Sequence, residues 1–314
     1  MTELSGRAPS TEALYRTHAR ELFGLAYRLT GCAADPDEVV QETFVRALAK
    51  PPARTEEPWA PWLVRVATNL AIDVVRKRRR RGEDASWLPS PLARDDACEL
   101  PAPRERAPDV RYATLESATF AFLLALEALT PRQRAALVLR DVCGFSASEA
   151  AAVLDASEQS VRVLHHRARK VLGGYDAAPC RPDAELVARH RKALEALVKC
   201  LVTRDLAGLT ALLRDDVSTT TDAGGEFNAL RGVRRGRIGV ARFHLRIATS
   251  RGVGARILPC TANGLPALAI TFARASARQA RHVLMRCELD AGGRIAAIHS
   301  VLGTRKLARI SFAP

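Results

Sequence analysis

Apolar residues in the first two thirds of the chain recur with the spacing of an α-helix. Leu22, Leu25 and Leu29 lie on one face of a predicted helix that ends at Gly31. Asp35 is predicted to cap the next helix, because a proline follows it at the first helical position and a glutamate lies three residues after it. A third apolar stripe follows, so the pattern predicts a helical bundle. The positions predicted to face its core in the second and third helices are Val40, Phe44, Ala47, Leu48, Leu63, Val66, Ala67, Leu70 and Val74.

Three helix starts follow one another closely between residues 130 and 172. Thr130 and Ser146 each precede a Gln or Glu by three residues, which is the arrangement of a capping box, and Ser157 fits the N-cap of a third helix. Two helices joined by a tight turn, with basic side chains facing outward on the second, are typical of a helix-turn-helix that enters the major groove of DNA. An ordinary helical hairpin is the alternative interpretation.

The pattern changes along the remainder of the chain. Prolines concentrate between Ala85 and Pro108, which predicts a linker there. Helical spacing from Ala184 to Leu213 then gives way to short runs typical of β-strands, separated by glycine-rich turns. The chain is therefore predicted to be multidomain, with two all-α domains followed by an α+β domain. The predicted strands are Val240–Ile247, Leu265–Phe272, His282–Leu289 and Arg294–Val301.

The composition excludes several classes of protein. The 314 residues are 47% apolar, which is enough for packed cores, but no apolar run is long enough to span a membrane. The first ten residues lack the hydrophobic core of a signal peptide, so secretion is not expected. The seven cysteines include no CxxC pair, which favours a reduced, cytoplasmic protein without a zinc ribbon. No metal and no cofactor is expected.

Positive charge is concentrated in two places. Lys and Arg outnumber Asp and Glu by 48 to 34, and residues 180–314 alone carry 23 basic against 10 acidic residues. The second concentration is the run of six cations from Arg76 to Arg81. Such an excess favours a polyanionic partner, which could be nucleic acid, an acidic protein or a membrane surface.

Two predicted helices carry a polar face suited to binding. Glu38, Gln41 and Glu42 form one stripe on the second helix, which either docks on a basic protein surface or is simply solvated. The third helix leads into the cationic run, and Trp62 near its start either stacks on an unpaired base or belongs to the core. The polar face of this third helix presents Arg65, Asn69, Asp73, Arg76 and Arg80.

Together these motifs resemble one family. The segment Asp35–Phe44, DPDEVVQETF, is similar to the core-binding motif in region 2 of the extracytoplasmic-function (ECF) sigma factors of bacterial RNA polymerase. Trp62–Arg76 resembles their promoter −10 recognition helix, and Ala125–Leu172 resembles region 4, whose helix-turn-helix reads the −35 element. The resemblance implies an alternative sigma factor that binds core RNA polymerase and promoter DNA and needs no catalytic residue. Whether an anti-sigma partner exists is left open.

The resemblance also implies three sets of contact residues. Core polymerase would contact Asp35, Asp37, Glu38, Gln41 and Glu42. The −10 element would contact Trp62, Arg65, Asn69, Asp73, Arg76, Lys77 and Arg80. The −35 element would contact Ser157, Glu158, Gln159, Arg162, His166, Arg169 and Lys170.

The remainder resembles a subgroup of these sigma factors with a SnoaL-like C-terminal domain, a cone-shaped α+β fold. Trp87–Leu92, WLPSPL, resembles the subgroup's WLPEP linker motif, Asp222–Glu226 its DGGGK motif, and Gly303–Ala308 its NPDKL segment. Ser90 stands in place of the motif's Glu, and Glu226 in place of its Lys. The resemblance implies that the C-terminal domain contacts the linker and tunes activity in cis. The residues assigned to this contact are Trp87, Leu88, Pro89, Pro91, Asp222, Gly224 and Gly225.

The C-terminal domain leaves two further hypotheses open. Enzymatic acid–base chemistry would need a pair among Asp222, His244, His282 and His299, and none is obvious, so regulation is favoured. DNA binding is the second hypothesis, the alternative being a basic surface that balances acidic patches elsewhere or reflects an arginine-rich composition. The arginines that could clamp DNA are Arg231, Arg234, Arg235, Arg237, Arg242, Arg246, Arg251 and Arg256.

Four segments are predicted for the whole chain: a region 2 domain at 10–82, a linker at 83–110, a region 4 domain at 111–176 and a SnoaL-like domain at 181–314. Two other functions stay open at this point. One is a helix-turn-helix regulator that acts without core polymerase, and the other is a SnoaL-like enzyme with a DNA-binding appendage.

Overall fold

The structure, a computed structural model, describes residues 10–51, 58–81, 87–92, 99–102 and 111–313. These residues belong to two units. The first contains the described residues up to 81 and from 99 to 180, and the second contains residues 87–92 together with 181–313. Most of the predicted linker 83–110 lies outside the described residues.

The first unit is helical. Three long helices, α1 (Thr11–Thr30), α2 (Asp35–Ala49) and α3 (Trp59–Arg80), pack against one another. The helix α6 continues directly into a π-helical segment, which is Val138–Val142. The shorter helices are α4 (Thr114–Ser117), α5 (Phe120–Leu126), α6 (Pro131–Leu137), α7 (Ala147–Leu154), α8 (Glu158–Val171) and α9 (Gly173–Asp176).

Capping side chains place three of these helix starts where the sequence predicts them. Thr130 Oγ1 accepts from the Gln133 N–H at 3.3 Å, and the Gln133 side chain accepts from the Thr130 N–H at 2.9 Å. Ser146 and Glu149 form the same reciprocal pair, and Ser157 caps α8. Each cap accepts a hydrogen bond from a backbone N–H of the first turn, which has no partner within the helix. Such a cap typically stabilises a protein by about 1 kcal/mol. The helices α7 and α8 form the predicted helix-turn-helix.

The start and the buried face of α2 differ from the prediction. Ala34 is the N-cap, and Asp35 is the first helical residue. A carboxylate there still lies at the positive end of the helix dipole. Leu48, predicted to be buried, is 66% exposed, because the buried stripe of α2 ends at Ala47.

The helix α3 buries a broader stripe than predicted. Leu63 and Ala67 are buried, whereas Val66, Leu70 and Val74 are only half-buried. The reason is that α3 packs against α1, α2, α6 and α7, so that positions beside the predicted stripe are covered as well. The additional buried residues are Val64, Thr68, Ala71, Ile72 and Val75.

The second unit is an α+β domain. Its helices are α10 (Ala184–Thr203), α11 (Leu206–Leu212) and α12 (Arg237–Arg251). Its strands are β1 (Leu213–Asp222), β2 (Arg234–Arg235), β3 (Arg256–Ala262), β4 (Leu265–Thr271), β5 (His282–Leu289) and β6 (Ile295–Val301). They form a sheet in the order β2-β1-β6-β5-β4-β3, in which β1 and β6 are parallel and the other neighbours antiparallel. The fold class predicted from the sequence, all-α domains followed by an α+β domain, is confirmed.

One predicted strand is wrong. The strands β4, β5 and β6 match predicted runs to within one residue, but Val240–Ile247 lies inside α12. Val240, Ala241 and His244 are buried there, and their spacing of one and three residues fits a helical face. The apolar pattern does not predict β1, since seven of the ten residues of that strand are Asp, Ser or Thr. The core of the domain includes Leu194, Leu197, Leu209, Val217, Val240, Met285 and Ile298.

Candidate functional site

The acidic edge of α2, defined as Glu38, Gln41 and Glu42, lies at the surface. Glu38 and Gln41 are exposed, and Glu42 is half-buried. Val45 and Leu48 follow at helical spacing and are 50% and 66% exposed. Neighbouring apolar side chains flanked by carboxylates favour a protein docking surface over a merely solvated face. The sequence pattern misses the apolar part because Leu48 fits a buried position equally well.

The two remaining residues of this predicted set differ from each other. Asp37 is exposed beside the edge, whereas Asp35 is buried at the first position of α2. The structure therefore presents four of the five predicted polymerase-contacting residues on the surface of one helix.

The outer face of α3 carries the residues predicted to contact the −10 element. Trp59 is buried, and its ring meets Trp62 edge to face with centroids 6.1 Å apart. This contact holds the half-buried Trp62 at the end of the exposed face. Arg76 donates to Asp73 at 3.2 Å, and both side chains are exposed. Of the predicted set, Arg65, Asp73, Arg76, Lys77 and Arg80 are exposed, and Trp62 and Asn69 are half-buried.

Two of the six consecutive cations point into the protein instead. Arg78 donates to the Thr30 carbonyl at 2.7 Å and to Glu127 at 2.6 Å. Arg79 donates to the backbone carbonyls of Glu127 and Leu129 at 2.9 and 2.7 Å. These contacts join α3 to the segment between α5 and α6, so the basic run is partly structural.

Glu127 also pairs with a second buried guanidinium. Arg134 Nη2 lies 2.7 Å from Glu127 Oε1, and Arg134 Nη1 donates to the Leu29 carbonyl at 3.0 Å. Burial lowers the pKa of Arg134 to about 10, and the charge of Glu127 partly offsets that effect. One carboxylate thus holds two buried cations from different helices. Sequence spacing gives no signal for this network, because Arg78 and Glu127 are far apart in the chain.

The outward face of α8 is open to solvent as predicted. Gln159, Arg162 and His166 are exposed on it, and Arg162 donates to Glu158 at 3.0 Å. Ser157 and Lys170, at the two ends of the helix, are also exposed. The −35 set therefore lies along one helix.

Asp141 anchors the inner side of α8. Its carboxylate lies 2.7 Å from His165 Nε2 and 3.9 Å from Arg169 Nε, so Arg169 leans toward the protein. Arg167, outside the predicted set, is exposed and adds a cation to the helix. Arg167 directly follows His166 in the sequence, so its position next to a predicted contact residue could have indicated it.

In the second unit, residues 87–92 are held against the α+β domain by a buried ion pair. Lys306 Nζ contacts Asp222 Oδ2 and donates to the Leu88 carbonyl at 2.6 Å, while the Leu88 N–H donates to Asp222 Oδ2 at 2.7 Å. The Lys306 ammonium also lies 4.2 Å from the centre of the Trp87 ring. At the other end of the segment, the Asn263 N–H donates to the Leu92 carbonyl at 2.9 Å.

The turn after β1 shapes this contact. Gly224 and Gly225 have φ of +59° and +76°, and the Gly224 N–H donates to Asp222 Oδ1 at 2.9 Å. Pro89 and Pro91 are buried with Leu88. Glu226 accepts from the Thr304 N–H at 3.1 Å, so it ties the turn to the C-terminal segment. The contact between residues 87–92 and the α+β domain is thus made by Asp222 and Lys306, although Ser90 and Glu226 differ from the residues of the subgroup's motifs. Lys306 was absent from the predicted set, although it lies in the segment that resembles NPDKL.

The four candidate acid–base residues are each bound to a different partner. Asp222 pairs with Lys306, His244 Nε2 lies 3.1 Å from Thr219 Oγ1, His282 Nδ1 lies 3.3 Å from Thr271 Oγ1, and His299 Nε2 lies 3.2 Å from Glu288 Oε1. Burial lowers the pKa of His244 to about 4. Burial alone would raise the pKa of Glu288, but the His299 hydrogen bond and neighbouring positive charges outweigh it and lower that pKa to about 2.

The described residues offer no candidate metal site and no candidate membrane-spanning helix. No group of three or more His, Cys, Asp or Glu side chains there is placed to hold a metal ion. None of the helices in the described ranges combines the length and apolarity needed to cross a membrane.

Comparison with known proteins places these surfaces in two defined regions. Residues 14–81 match the family Sigma-70 region 2, and residues 119–172 match Sigma-70, region 4. The helix α2 with its acidic edge and α3 lie in the first match, and the helix-turn-helix lies in the second. The fold and these surfaces therefore define a sigma-70-type protein.

Similar proteins narrow the class. The ECF RNA polymerase sigma factor SigJ of Mycobacterium tuberculosis is 34% identical over 239 residues, which cover 75% of this chain and 72% of SigJ. The ECF RNA polymerase sigma factor SigE of Mycolicibacterium smegmatis is 38% identical over 168 residues, covering 53% of this chain and 62% of SigE. The crystal structure of Mycobacterium tuberculosis SigJ aligns with a TM-score of 0.66 at 25% identity, covering 95% of this chain and 98% of that one.

The chain belongs to the family of ECF RNA polymerase sigma factors. As a sigma factor it binds core RNA polymerase and promoter DNA and directs initiation of transcription. The predicted family is confirmed, and so is the partnership with core RNA polymerase and promoter DNA.

Proposed function

We propose that the acidic edge of α2 docks on core polymerase, that α3 binds the −10 element and α8 the −35 element, and that the α+β domain tunes activity in cis. The observation that carries the proposal is the exposed edge of α2, where acidic and apolar side chains lie together on a helix that also supports α3. The chain itself supplies no catalytic group in this scheme and acts in the cytoplasm beside the polymerase.

Region 4 and region 2 must separate before both DNA elements are bound. In the free chain α3 packs against α7, and Arg65 lies 3.9 Å from Asp155. Promoter elements two helical turns apart are separated by about 70 Å of duplex. A unit in which α3 touches the helix-turn-helix cannot reach both, so we propose that the packed arrangement is an inactive state that opens on polymerase.

The docked linker segment supports the proposed regulation in cis. Residues 87–92 lie in the chain between region 2 and region 4, and they are fixed to the α+β domain by Leu88, Asp222 and Lys306. An extended chain spans at most about 3.6 Å per residue, so residues held in this way no longer contribute to the reach of the tether. We propose that docking restrains opening and that release of the segment favours it.

The α2 edge is tested by charge reversal. We expect Glu38→Lys to weaken binding to purified core polymerase by about tenfold, because a like charge would face the basic surface that the edge is proposed to meet. Binding is measured by fluorescence titration of labelled protein and compared with run-off transcription.

Glu12→Lys is the matched control, since Glu12 is exposed on α1 and the change in charge is the same. Equal affinity of the two variants for core polymerase would contradict the role of the edge. Loss of affinity in both would instead indicate a general effect of net charge.

A further inference from the structure

One segment of the α+β domain carries only positive charge. Residues 227–287 contain twelve arginines, no lysine and no acidic residue, whereas the whole chain holds 34 Asp and Glu among 314 residues. An arginine-rich composition explains why this segment has many arginines but not why it lacks Asp and Glu. The local absence of negative charge therefore needs a separate explanation.

Several of these arginines serve the fold. Arg251 donates to the Ala280 carbonyl at 2.6 Å and its guanidinium lies 4.0 Å from the centre of the Phe272 ring. Arg256 donates to the Phe312 carbonyl at 2.6 Å. Arg286 is buried in β5. These side chains are held by the protein and do not explain the excess of exposed charge.

Five others are exposed in one part of the domain, which we name the arginine face. They lie in the loop before β2, in β2 and on α12, where two of them are separated by one helical turn. The strand β2 contacts α12, and the Arg234 guanidinium lies 5.6 Å from the centre of the Phe243 ring on that helix. Within the described part of the chain, none of the five forms an ion pair with a carboxylate. The arginine face consists of Arg231, Arg234, Arg235, Arg242 and Arg246.

The nearby carboxylates already have cationic partners. Asp215 is paired with Arg237, and Asp216 is paired with Arg214. The hydrogen bond from Arg214 is the main cause that lowers the pKa of Asp216, and Arg235 adds to it from a greater distance. The charges within each of these two pairs cancel. The two carboxylates are therefore paired with arginines outside the arginine face, which keeps most of its positive charge.

We infer that the arginine face binds the phosphate backbone of duplex DNA without sequence preference. The guanidinium fork matches phosphate oxygens bidentately, and interfaces with DNA are far more positively charged than interfaces between proteins. Val233 and Ile238 are exposed beside these arginines, but the charged side chains outnumber them, whereas the centre of a protein interface is apolar and depleted of charge. The chain already brings its own helix-turn-helix to promoter DNA, so duplex lies within reach of the tethered domain whenever the sigma factor works.

The test measures the salt dependence of DNA binding by the full chain. A fluorescein-labelled duplex of arbitrary sequence is titrated at several KCl concentrations, with anisotropy as the readout. In the triple variant R235Q/R242Q/R246Q, the slope of log K against log salt is expected to fall by about 0.9 for each phosphate that is no longer neutralised, that is by up to about 2.7. The variant R235K/R242K/R246K keeps the charge and is expected to retain most of the slope.

A matched triple variant removes the same charge elsewhere in the domain. Arg191, Lys192 and Lys199 are exposed on α10, where Glu195 lies among them. The variant R191Q/K192Q/K199Q is expected to change the slope by less than about 0.9, the value for one phosphate. Thermal melting of all variants checks that they fold.

A slope for R235Q/R242Q/R246Q that equals that of wild type, or that of the α10 variant, would overturn the inference. If that variant also binds core polymerase more weakly in a separate titration, the arginine face belongs to a protein partner instead. Because the duplex contains no promoter and the assay no polymerase, failure here leaves the roles proposed for α2, α3 and α8 standing.

Discussion

Glu127 connects two buried cations across the first unit. Its carboxylate meets Arg78 at 2.6 Å and Arg134 at 2.7 Å, and both guanidinium groups are almost fully covered. Charges removed from water in this way are stable only while their partner is present. The Glu127 side chain therefore helps to tie the end of α3 to region 4, together with the contacts that Arg79 makes to backbone carbonyls.

We expect Glu127→Ala to destabilise the first unit by about 3–5 kcal/mol, because two guanidinium groups are left buried without a carboxylate. Urea denaturation of the full chain, followed by far-UV circular dichroism, measures the loss. Glu12→Ala, which removes an exposed pair on α1, should stay within about 0.5 kcal/mol of wild type. Similar losses in the two variants would contradict the assigned role of Glu127.

His244 is predicted to make the α+β domain sensitive to mild acid. Its pKa is lowered to about 4 by burial, so between about pH 6.5 and 4 the unfolded state binds a proton that the folded state does not. The contribution of His244 to stability is then full above about pH 6.5 and falls as the pH decreases, by about 2 kcal/mol between pH 7 and 5. Burial also lowers the pKa of His190 in the same domain to about 4, so this residue adds a loss of the same sign in the same window. Glu288 adds nothing in that window, because its lowered pKa affects stability only below about pH 4.5.

The measurement is the urea dependence of hydrogen exchange in peptides from α12 at pH 7 and pH 5. His244→Gln should show a smaller loss between the two pH values than wild type. His166→Gln is the control, since His166 is exposed on α8. The same pH dependence in wild type and His244→Gln would show that His244 is not responsible.

At the scale of elements, we propose that α8 separates base reading from phosphate binding along one helix. Gln159 and Arg162 lie toward its N-terminal end, which enters the major groove in helix-turn-helix proteins, and Lys170 lies in its last turn. Phosphate contacts supply affinity and position, whereas base contacts supply sequence choice. The two ends of α8 are therefore expected to respond differently to substitution.

Arg162→Ala is expected to weaken −35 binding by about 1–3 kcal/mol and to relax preference at one base position. Lys170→Ala should lower output from all −35 sequences by a similar factor, because a phosphate contact carries no sequence information. Run-off transcription on a set of −35 variants distinguishes these patterns. Uniform loss in both variants would remove Arg162 from the base-reading role.

At the scale of the whole molecule, one buried lysine connects the chain's C-terminal segment to its middle. Lys306 contacts both Asp222 and the Leu88 carbonyl within the second unit. Since residues 87–92 lie between the two sigma regions in sequence, this contact is where the α+β domain can act on the tether.

We expect Lys306→Met to release the segment, because Asp222 is then left buried without its cation. Faster hydrogen exchange at residues 87–92 and higher run-off transcription are the expected results. Lys199→Met is the control, since Lys199 is exposed on α10. Faster exchange without any change in transcription would show that docking is structural and not regulatory.

The sequence alone predicted several helix starts and the family, because both depend on residues that lie close together along the chain. The capping pairs at Thr130 and Ser146 involve residues three positions apart, so they mark helix starts without any tertiary information. The motifs on α2 and α8 are also contiguous in the sequence. They could therefore be recognised without the structure, and the family was identified from them. The contact residues assigned on those helices stay predictions, and most of them are exposed, whereas Asp35 is buried.

Tertiary structure decided what depends on distant partners. Val240–Ile247 is a short apolar run that fits a strand or a helix, and packing of Val240 and His244 in the domain core selects the helix. Arg78 belongs to a cationic run in the sequence, yet its contacts with Glu127 and the Thr30 carbonyl make it structural. The partners of Leu88 lie more than a hundred residues away along the chain. Burial and ion pairing depend on which surfaces meet in space, and neither spacing nor composition contains that information.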